Sequence, residues 1–159
     1  MVTMTDARAE AERDVATHVT ALHQAAKASI TSFARRLHPD LHPLGYAVLR
    51  HILQNPEGVR AADVALALGT DKSSMSRQVT FLREIGFVET LPDPLDGRAS
   101  LLVPSETARE RVASLSEGAR DDYERLFADW STGDIERLAT LLGRFVESAT
   151  GSFGVDRVQ

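Results

Sequence analysis

The sequence predicts a mainly α fold with a small β-wing, and two observations support this prediction. Between residues 59 and 103 the pattern runs strand, helix, turn, helix and two-stranded hairpin. The segments on either side repeat apolar residues every three or four positions, which is the spacing of long amphipathic helices. Because helix, turn, helix and hairpin is the order of a winged helix-turn-helix, we expect such a core, flanked by N- and C-terminal helices.

Composition excludes several classes of protein. The chain has 159 residues, of which 43% are apolar, so it is long enough to bury a core. It has no cysteine, which excludes disulfides, thiolate redox switches and Cys-bound zinc. No apolar run of about eighteen residues occurs and the N-terminus is polar, so we expect a cytoplasmic protein with no membrane segment.

The negative charge is unevenly distributed along the chain. The net charge of −5 divides into 0 over residues 1–43, −1 over residues 44–103 and −4 over residues 104–159. Four cations of the middle third fall on the predicted turn, second helix and ribbon: Lys72, Arg77, Arg83 and Arg98. The negative net charge of the chain is therefore weak evidence against a polyanionic partner. The cations on the predicted turn, second helix and ribbon favour such a partner.

The central segment divides into short elements by its turn residues. We predict an edge strand at 59–60, a helix at 62–68, a turn at 69–71 and a second helix at 73–85 closed by Gly86. The ribbon strands are predicted at 87–91 and 99–103, around a tip at 92–98. A helix at 44–54 precedes them and completes a three-helix domain over residues 44–103.

The second helix of this segment has one face suited to nucleic acid. Asp71 and Ser73 are candidate N-caps, and Met75, Val79 and Leu82 share the apolar side. The other side carries small hydroxyls and cations, which donate to phosphates and base edges. The candidate DNA-binding residues of the turn and helix are Lys72, Ser73, Ser74, Ser76, Arg77, Thr80 and Arg83.

The ribbon tip supplies a second candidate contact. The pair Asp96-Gly97 is expected to provide the positive φ of a tight hairpin tip, which places Arg98 where a wing reaches a minor groove. We expect the Asp96 carboxylate to hold the Arg98 guanidinium before DNA arrives. Asp96 and Arg98 therefore join the DNA-binding candidates.

The flanking segments predict dimerisation. We expect an N-terminal helix and loop over residues 7–43, C-terminal helices over 104–150 and a flexible tail over 151–159. The apolar stripes of these helices exceed what one small domain can cover, which favours burial against a second copy in a two-fold dimer.

The sequence resembles the MarR family of bacterial transcriptional regulators. The resemblance rests on residues 64–89, VALALGTDKSSMSRQVTFLREIGFVE, and on residues 93–98, DPLDGR. It implies a non-enzymatic homodimer that binds a pseudo-palindromic operator in double-stranded DNA, with the second helix in the major groove and the wing arginine in the minor groove. It also implies a repressor that a small, amphipathic or aromatic effector releases from DNA. The chain departs from the family in lacking a Ser/Thr cap at Ala61-Ala62-Asp63 and in carrying residues 103–107, VPSET, after the wing.

Three alternatives have less support. A metal-responsive regulator would use His38, Asp40 and His42, but zinc takes about four ligands, so we predict no metal site. No phosphate loop, nucleophile elbow or paired-histidine motif appears, so we predict no catalytic residues and no cofactor. A winged-helix module for protein contact alone remains open.

The aromatic residues on the helical stripes do not identify an effector site. We assign Phe33, Tyr46, Trp130 and Phe145 to packing and leave the effector-binding residues unknown.

Overall fold

The computed structural model describes residues 4–153, and the side chains of residues 6–118 and 124–151. The predicted class is confirmed, since the described residues are mostly helical with one two-stranded sheet. In chain order the elements are α1 (Met4–Leu37), α2 (Pro43–Leu53), α3 (Ala61–Ala67), α4 (Lys72–Glu84), β1 (Val88–Pro92), β2 (Ser100–Pro104), α5 (Glu106–Leu126) and α6 (Thr132–Phe153).

The wing is a two-stranded antiparallel sheet with a third, single-residue attachment. β1 and β2 pair from Val88 opposite Pro104 to Pro92 opposite Ser100. Both strands begin one residue later than predicted. The predicted edge strand is reduced to Val59, which exchanges two backbone hydrogen bonds with Leu102 of 3.1 and 2.8 Å. The next residue, Arg60, is not a strand residue, because it is the N-cap of α3.

The one-residue shift of β1 follows from how α4 ends. Gly86 has a φ of +73°, which an L side chain rarely adopts. Its N–H donates to the Arg83 carbonyl at 3.0 Å, and the N–H of Phe87 donates to the Leu82 carbonyl at 2.8 Å. This pair of bonds is a Schellman motif, with the side chains of Leu82 and Phe87 both buried. Phe87 therefore completes the helix end and is not the first strand residue.

The end of β2, at the base of the wing, is fixed to the same turn. Ser105 lies directly after β2 and is buried, and its hydroxyl donates to the Gly86 carbonyl at 2.7 Å. The same oxygen accepts the N–H of Ala108 at 3.1 Å and so caps α5, as the sequence predicts. Its backbone N–H donates to the Phe87 carbonyl at 3.0 Å. One serine thus joins the end of α4, the wing and α5.

The core lies beneath the winged segment and extends to the end of α1 and the start of α5. Its buried apolar residues are Ala34, Leu37, Leu41, Val48, Leu49, Ile52, Val64, Met75, Leu82, Phe87, Val88, Leu102 and Ala108. Gly45 permits the close approach of α2 and α4, since a Cβ there would lie 2.8 Å from Oε1 of Gln78. The rings of Phe33 and Tyr46, with centroids 5.1 Å apart, connect α1 to α2. These two aromatics pack as predicted.

The chain forms two compact units, one up to Leu115 and one from Ser116 onwards. The second unit contains most of α5 and all of α6. α6 continues to Phe153, so the prediction of a flexible tail from residue 151 is wrong for residues 151–153, and the rest of that segment lies outside the described residues. In the described part of the chain, no helix is long and apolar enough to cross a membrane.

We predict that Ser105→Ala lowers the free energy of unfolding by about 1–3 kcal/mol, because it removes a helix cap and leaves the Gly86 carbonyl without its hydroxyl donor. Urea unfolding at fixed protein concentration measures the change. Ser100→Ala, at an exposed position of β2, is the control and is expected to stay within about 0.5 kcal/mol of the wild type. Equal stability of the two variants would contradict the joint role of Ser105.

Candidate nucleic-acid interface

The first turn of α4 is organised by Asp71. Its Oδ1 accepts the N–H of Ser74 at 2.9 Å and the hydroxyl of Ser73 at 2.6 Å. Of the two predicted N-caps, Asp71 is therefore the cap, and Ser73 is its donor. The hydrogen bonds from Ser73 and Ser74 hold the pKa of Asp71 well below its ordinary value of 3.8. The carboxylate is thus ionised over the whole neutral range.

The candidate face of α4 is exposed as a unit. Met75 and Leu82 are buried on the opposite side, which confirms the predicted helical periodicity. Arg77 is held at the start of the helix, because its Nη2 donates to the Ser74 hydroxyl at 3.0 Å. The exposed residues of this surface are Lys72, Ser73, Ser76, Arg77, Thr80 and Arg83, whereas Ser74 is half-buried. The helix therefore presents hydroxyls, two arginines and a lysine together.

The cap limits how this helix start can bind an anion. The N–H of Ser74 is one of the free amides of the first turn, and Asp71 already accepts it. A phosphate cannot use that amide unless the cap opens. We therefore expect phosphate contacts to this part of the chain to come mainly from the side chains of Lys72, Ser76 and Arg77.

Thr80 and Arg83 also line an open groove between α4 and the wing. The other residues that line it are Glu84 of α4 and Val88, Glu89 and Thr90 at β1. Glu84 and Glu89 are exposed carboxylates, which repel a phosphate backbone. On this side we therefore expect base or phosphate contacts at Thr80 and Arg83 and repulsion at Glu84 and Glu89.

The wing tip differs from its prediction in two respects. Gly97 is not among the glycines with positive φ in the described chain, so the prediction that it supplies a left-handed turn residue is wrong. The Asp96 carboxylate accepts the backbone N–H of Arg98 at 3.1 Å, and within the described residues no ion pair joins it to the guanidinium, so the expected carboxylate–guanidinium bond is also wrong. The tip spans seven residues and turns through side-chain acceptors, which removes the need for a left-handed glycine. Arg98 remains exposed.

An ion pair at the wing was not predicted. Arg60, at the N-cap of α3, donates from Nε to Oδ2 of Asp93 at 2.7 Å, and Asp93 is only 5% exposed. The two residues are 33 positions apart, so no local pattern joins them. The available signal was the missing Ser/Thr cap before Ala61, where an arginine stands instead.

Of the three residues weighed as metal ligands, His38 makes local contacts. Nδ1 of His38 accepts the N–H of Asp40 at 3.3 Å, and the His38 ring lies edge-on to Phe81 with centroids 5.7 Å apart. Among the described residues, no three His, Cys, Asp or Glu side chains are grouped to hold a metal ion.

We predict that the stability difference between the wild type and Asp71→Asn depends on pH only in acid. Asn is an equally good N-cap, but it does not titrate. Because the pKa of Asp71 is lowered on folding, its ionised form contributes stability above the ordinary pKa of 3.8 that is lost as pH falls towards the folded value. Urea unfolding between pH 7 and pH 2.5 should show a constant difference down to about pH 5 and a shrinking advantage of the wild type below about pH 4. A difference that is constant throughout would contradict the assignment.

Known proteins share this architecture. The model of the MarR family matches residues 40–99, which contain the helix-turn-helix and most of the wing. An uncharacterized HTH-type transcriptional regulator of Bacillus subtilis, YxaD, is 28% identical over 105 residues, which cover 66% of this chain and 73% of that protein.

Solved structures have the same fold at low identity. RV1404 from Mycobacterium tuberculosis superposes with a TM-score of 0.72 at 22% identity and covers 84% of this chain and 92% of its own. The PcaV transcriptional regulator from Streptomyces coelicolor gives 0.61 at 22% identity, with 85% and 97% covered. The family match over residues 40–99, the relative and the shared winged helix fold agree with the resemblance to the MarR family seen in the sequence.

Proposed function

We propose that the chain acts as a homodimeric, sequence-specific repressor that binds a pseudo-palindromic operator and is released by a small-molecule effector. Residues 44–103 are assigned to DNA binding, and residues 7–43 and 104–150 to the dimer. The observation that carries the proposal is the exposed hydroxyl and cation face of α4 on the same compact unit as an exposed wing arginine.

The proposed reading element is α4. On its exposed face Ser76 and Thr80 lie about one turn apart, and Arg77 is adjacent to Ser76. Arginine is the commonest specific partner of guanine in the major groove, and short hydroxyl side chains permit close approach to the backbone. The hydrogen bond from Arg77 to Ser74 restricts the guanidinium before binding, which lowers the entropy lost on contact.

The proposed second contact is Arg98 in the minor groove. The side chain is exposed at the end of the ribbon, and the backbone N–H of Arg98 is already held by Asp96. A narrow minor groove has an enhanced negative potential that attracts arginine. We expect Asp96 to shape the loop without contacting DNA, because its carboxylate is engaged with the backbone.

Exposed apolar side chains support the dimer. On α1, Val15, Val19, Leu22 and Ile30 are 38–59% exposed, and on α6, Leu141, Leu142, Phe145 and Val146 are 41–59% exposed. Such rows on amphipathic helices indicate an interface. A two-fold dimer presents two α4 helices, and successive major grooves require them about 34–36 Å apart. Any ligand that favours a different spacing weakens DNA binding by its differential affinity for the two states.

A described contact supports coupling between the dimer helices and the wing. Nη1 of Arg111 in α5 donates to the carbonyl of Leu37, the last residue of α1, at 3.1 Å. The same guanidinium lies 5.8 Å from the ring centroid of Phe87, which directly precedes β1. A displacement of α1 therefore acts on the base of the wing through one side chain.

The proposal predicts specific binding near the gene itself. In a fluorescence-anisotropy titration at physiological salt, we expect the duplex immediately upstream of the gene to bind at least about 10³-fold more tightly than a scrambled duplex. Equal weak binding to both would oppose autoregulation and favour the protein-contact module.

We predict that Arg98→Ala weakens binding to this duplex by about 1–3 kcal/mol, and Arg77→Ala by a similar amount, because each removes a proposed groove contact. Arg137→Ala is the matched control, since Arg137 is a highly exposed arginine of α6 outside the proposed surface. The titrations are compared at one salt concentration. Affinities of both variants equal to that of the control would refute the assignment of α4 and the wing.

We predict that Phe145→Glu raises the dimer dissociation constant at least about 100-fold, because a charge would be buried at an apolar interface. Sedimentation equilibrium measures the constant. Leu66→Glu is the control, since Leu66 is 84% exposed on α3, which is not one of the proposed interface helices. A Phe145→Glu variant that stays as dimeric as the control would exclude α6 from the interface.

A further inference from the structure

All polar atoms of Asp93 are engaged, although it lies at an exposed tip. Its Oδ2 accepts Nε of Arg60 at 2.7 Å, and Nη2 of Arg60 reaches the same oxygen. Its Oδ1 accepts the N–H of Leu95 at 2.8 Å. Its backbone N–H donates to the Ala99 carbonyl at 3.1 Å, and its carbonyl accepts the N–H of Asp96 at 3.3 Å. The side chain and backbone of one residue therefore organise the loop that leads to Arg98.

Both partners of the ion pair stay charged. The N–H of Leu95 and the Arg60 guanidinium hold the pKa of Asp93 below its ordinary value, and the hydrogen bond to Asp93 raises the pKa of Arg60. The contact is also directional, since two nitrogens of one guanidinium meet one carboxylate oxygen. Both groups are consequently charged at neutral pH, as an ion pair requires.

The position of the pair along the wing is informative. The base of the wing is fixed by Phe87 and Ser105, and its middle by Val59 and Leu102. The pair adds a third attachment at the tip, and Arg60 makes no side-chain cap bond to α3. The Arg60 side chain thus contacts the wing and does not cap α3, the helix at whose start it lies.

We propose that Arg60 and Asp93 are positioning residues for DNA binding, which orient the wing tip so that Arg98 meets the minor groove. The inference rests on the proposed function. Neither residue needs to touch DNA. The ion pair restricts residues 93–99 before binding, and a contact segment that is already ordered loses less conformational entropy when it binds.

A double-mutant cycle tests the inference on the full-length protein. Arg60→Ala, Arg98→Ala and the double variant are titrated against the wild type's best-binding duplex at one salt concentration. We expect Arg60→Ala to weaken binding about 10-fold and the double variant to bind within about 2-fold of Arg98→Ala, because Arg60 acts through Arg98. Arg60→Lys keeps a cation for Asp93 and should restore part of the loss.

Val64→Ala is the control for a merely structural effect. Val64 is fully buried in α3, so its truncation destabilises the fold while both charged side chains of the ion pair are kept. The change in binding free energy caused by Val64→Ala should add to the change caused by Arg98→Ala. If Arg60→Ala is also additive, or leaves affinity unchanged, the positioning role is refuted.

Hydrogen exchange without DNA separates this inference from the proposed function. In Arg60→Ala, the N–H groups of Leu95, Asp96 and Ala99 should exchange about 10-fold faster, whereas those of α4 should not change. If these exchange rates do not change in Arg60→Ala, the ion pair does not order the tip, and the positioning role is refuted even if the protein binds DNA. If the wild type binds no duplex specifically, the proposed function fails, and the positioning role fails with it whatever the exchange shows.

Discussion

The angle between α4 and the wing is the constraint on which the rest of the structure depends. Gly86 sets it with a positive φ, and the Ser105 hydroxyl holds the returning strand against the Gly86 carbonyl. A helix in one groove and a ribbon in the next can engage DNA together only if their relative orientation is fixed before binding. The buried residues Leu82 and Phe87 make that orientation part of the core, so a change at this turn alters the fold and the surface together.

A few side chains order the two parts of the proposed DNA-binding surface, the exposed face of α4 and the wing tip. On α4, Asp71 holds the first turn and Ser74 holds Arg77, so the proposed reading face is ordered by its own neighbours. The wing tip is ordered by a residue that is distant in sequence, because Arg60 at the N-cap of α3 donates a hydrogen bond to Asp93. The two arrangements differ because a helix is stabilised along its length by its own backbone hydrogen bonds, whereas the seven-residue tip has only a few, between Asp93, Asp96 and Ala99.

Much of the fold follows from local sequence, and the rest depends on contacts between distant residues. The ends of α3 and α4 were predicted within one residue, because glycines and caps act within a single turn. The start of β1 was misplaced by one residue, since the role of Phe87 in ending α4 requires its burial beside Leu82. The exposure of the α4 face followed from helical periodicity. The ion pair between Arg60 and Asp93 could not be predicted in this way, because no local spacing relates an N-cap arginine to a carboxylate in a later loop.

We propose that two copies of this chain bind a two-fold symmetric site, and selection from a pool of random-sequence duplexes is the sharpest test. The wild-type protein is mixed with the pool at physiological salt, and bound DNA is recovered and sequenced over successive rounds. The account predicts enrichment of one pseudo-palindrome with half-sites about 10 base pairs apart, centre to centre. A pool that stays random, or that converges on a single unpaired half-site, would contradict it.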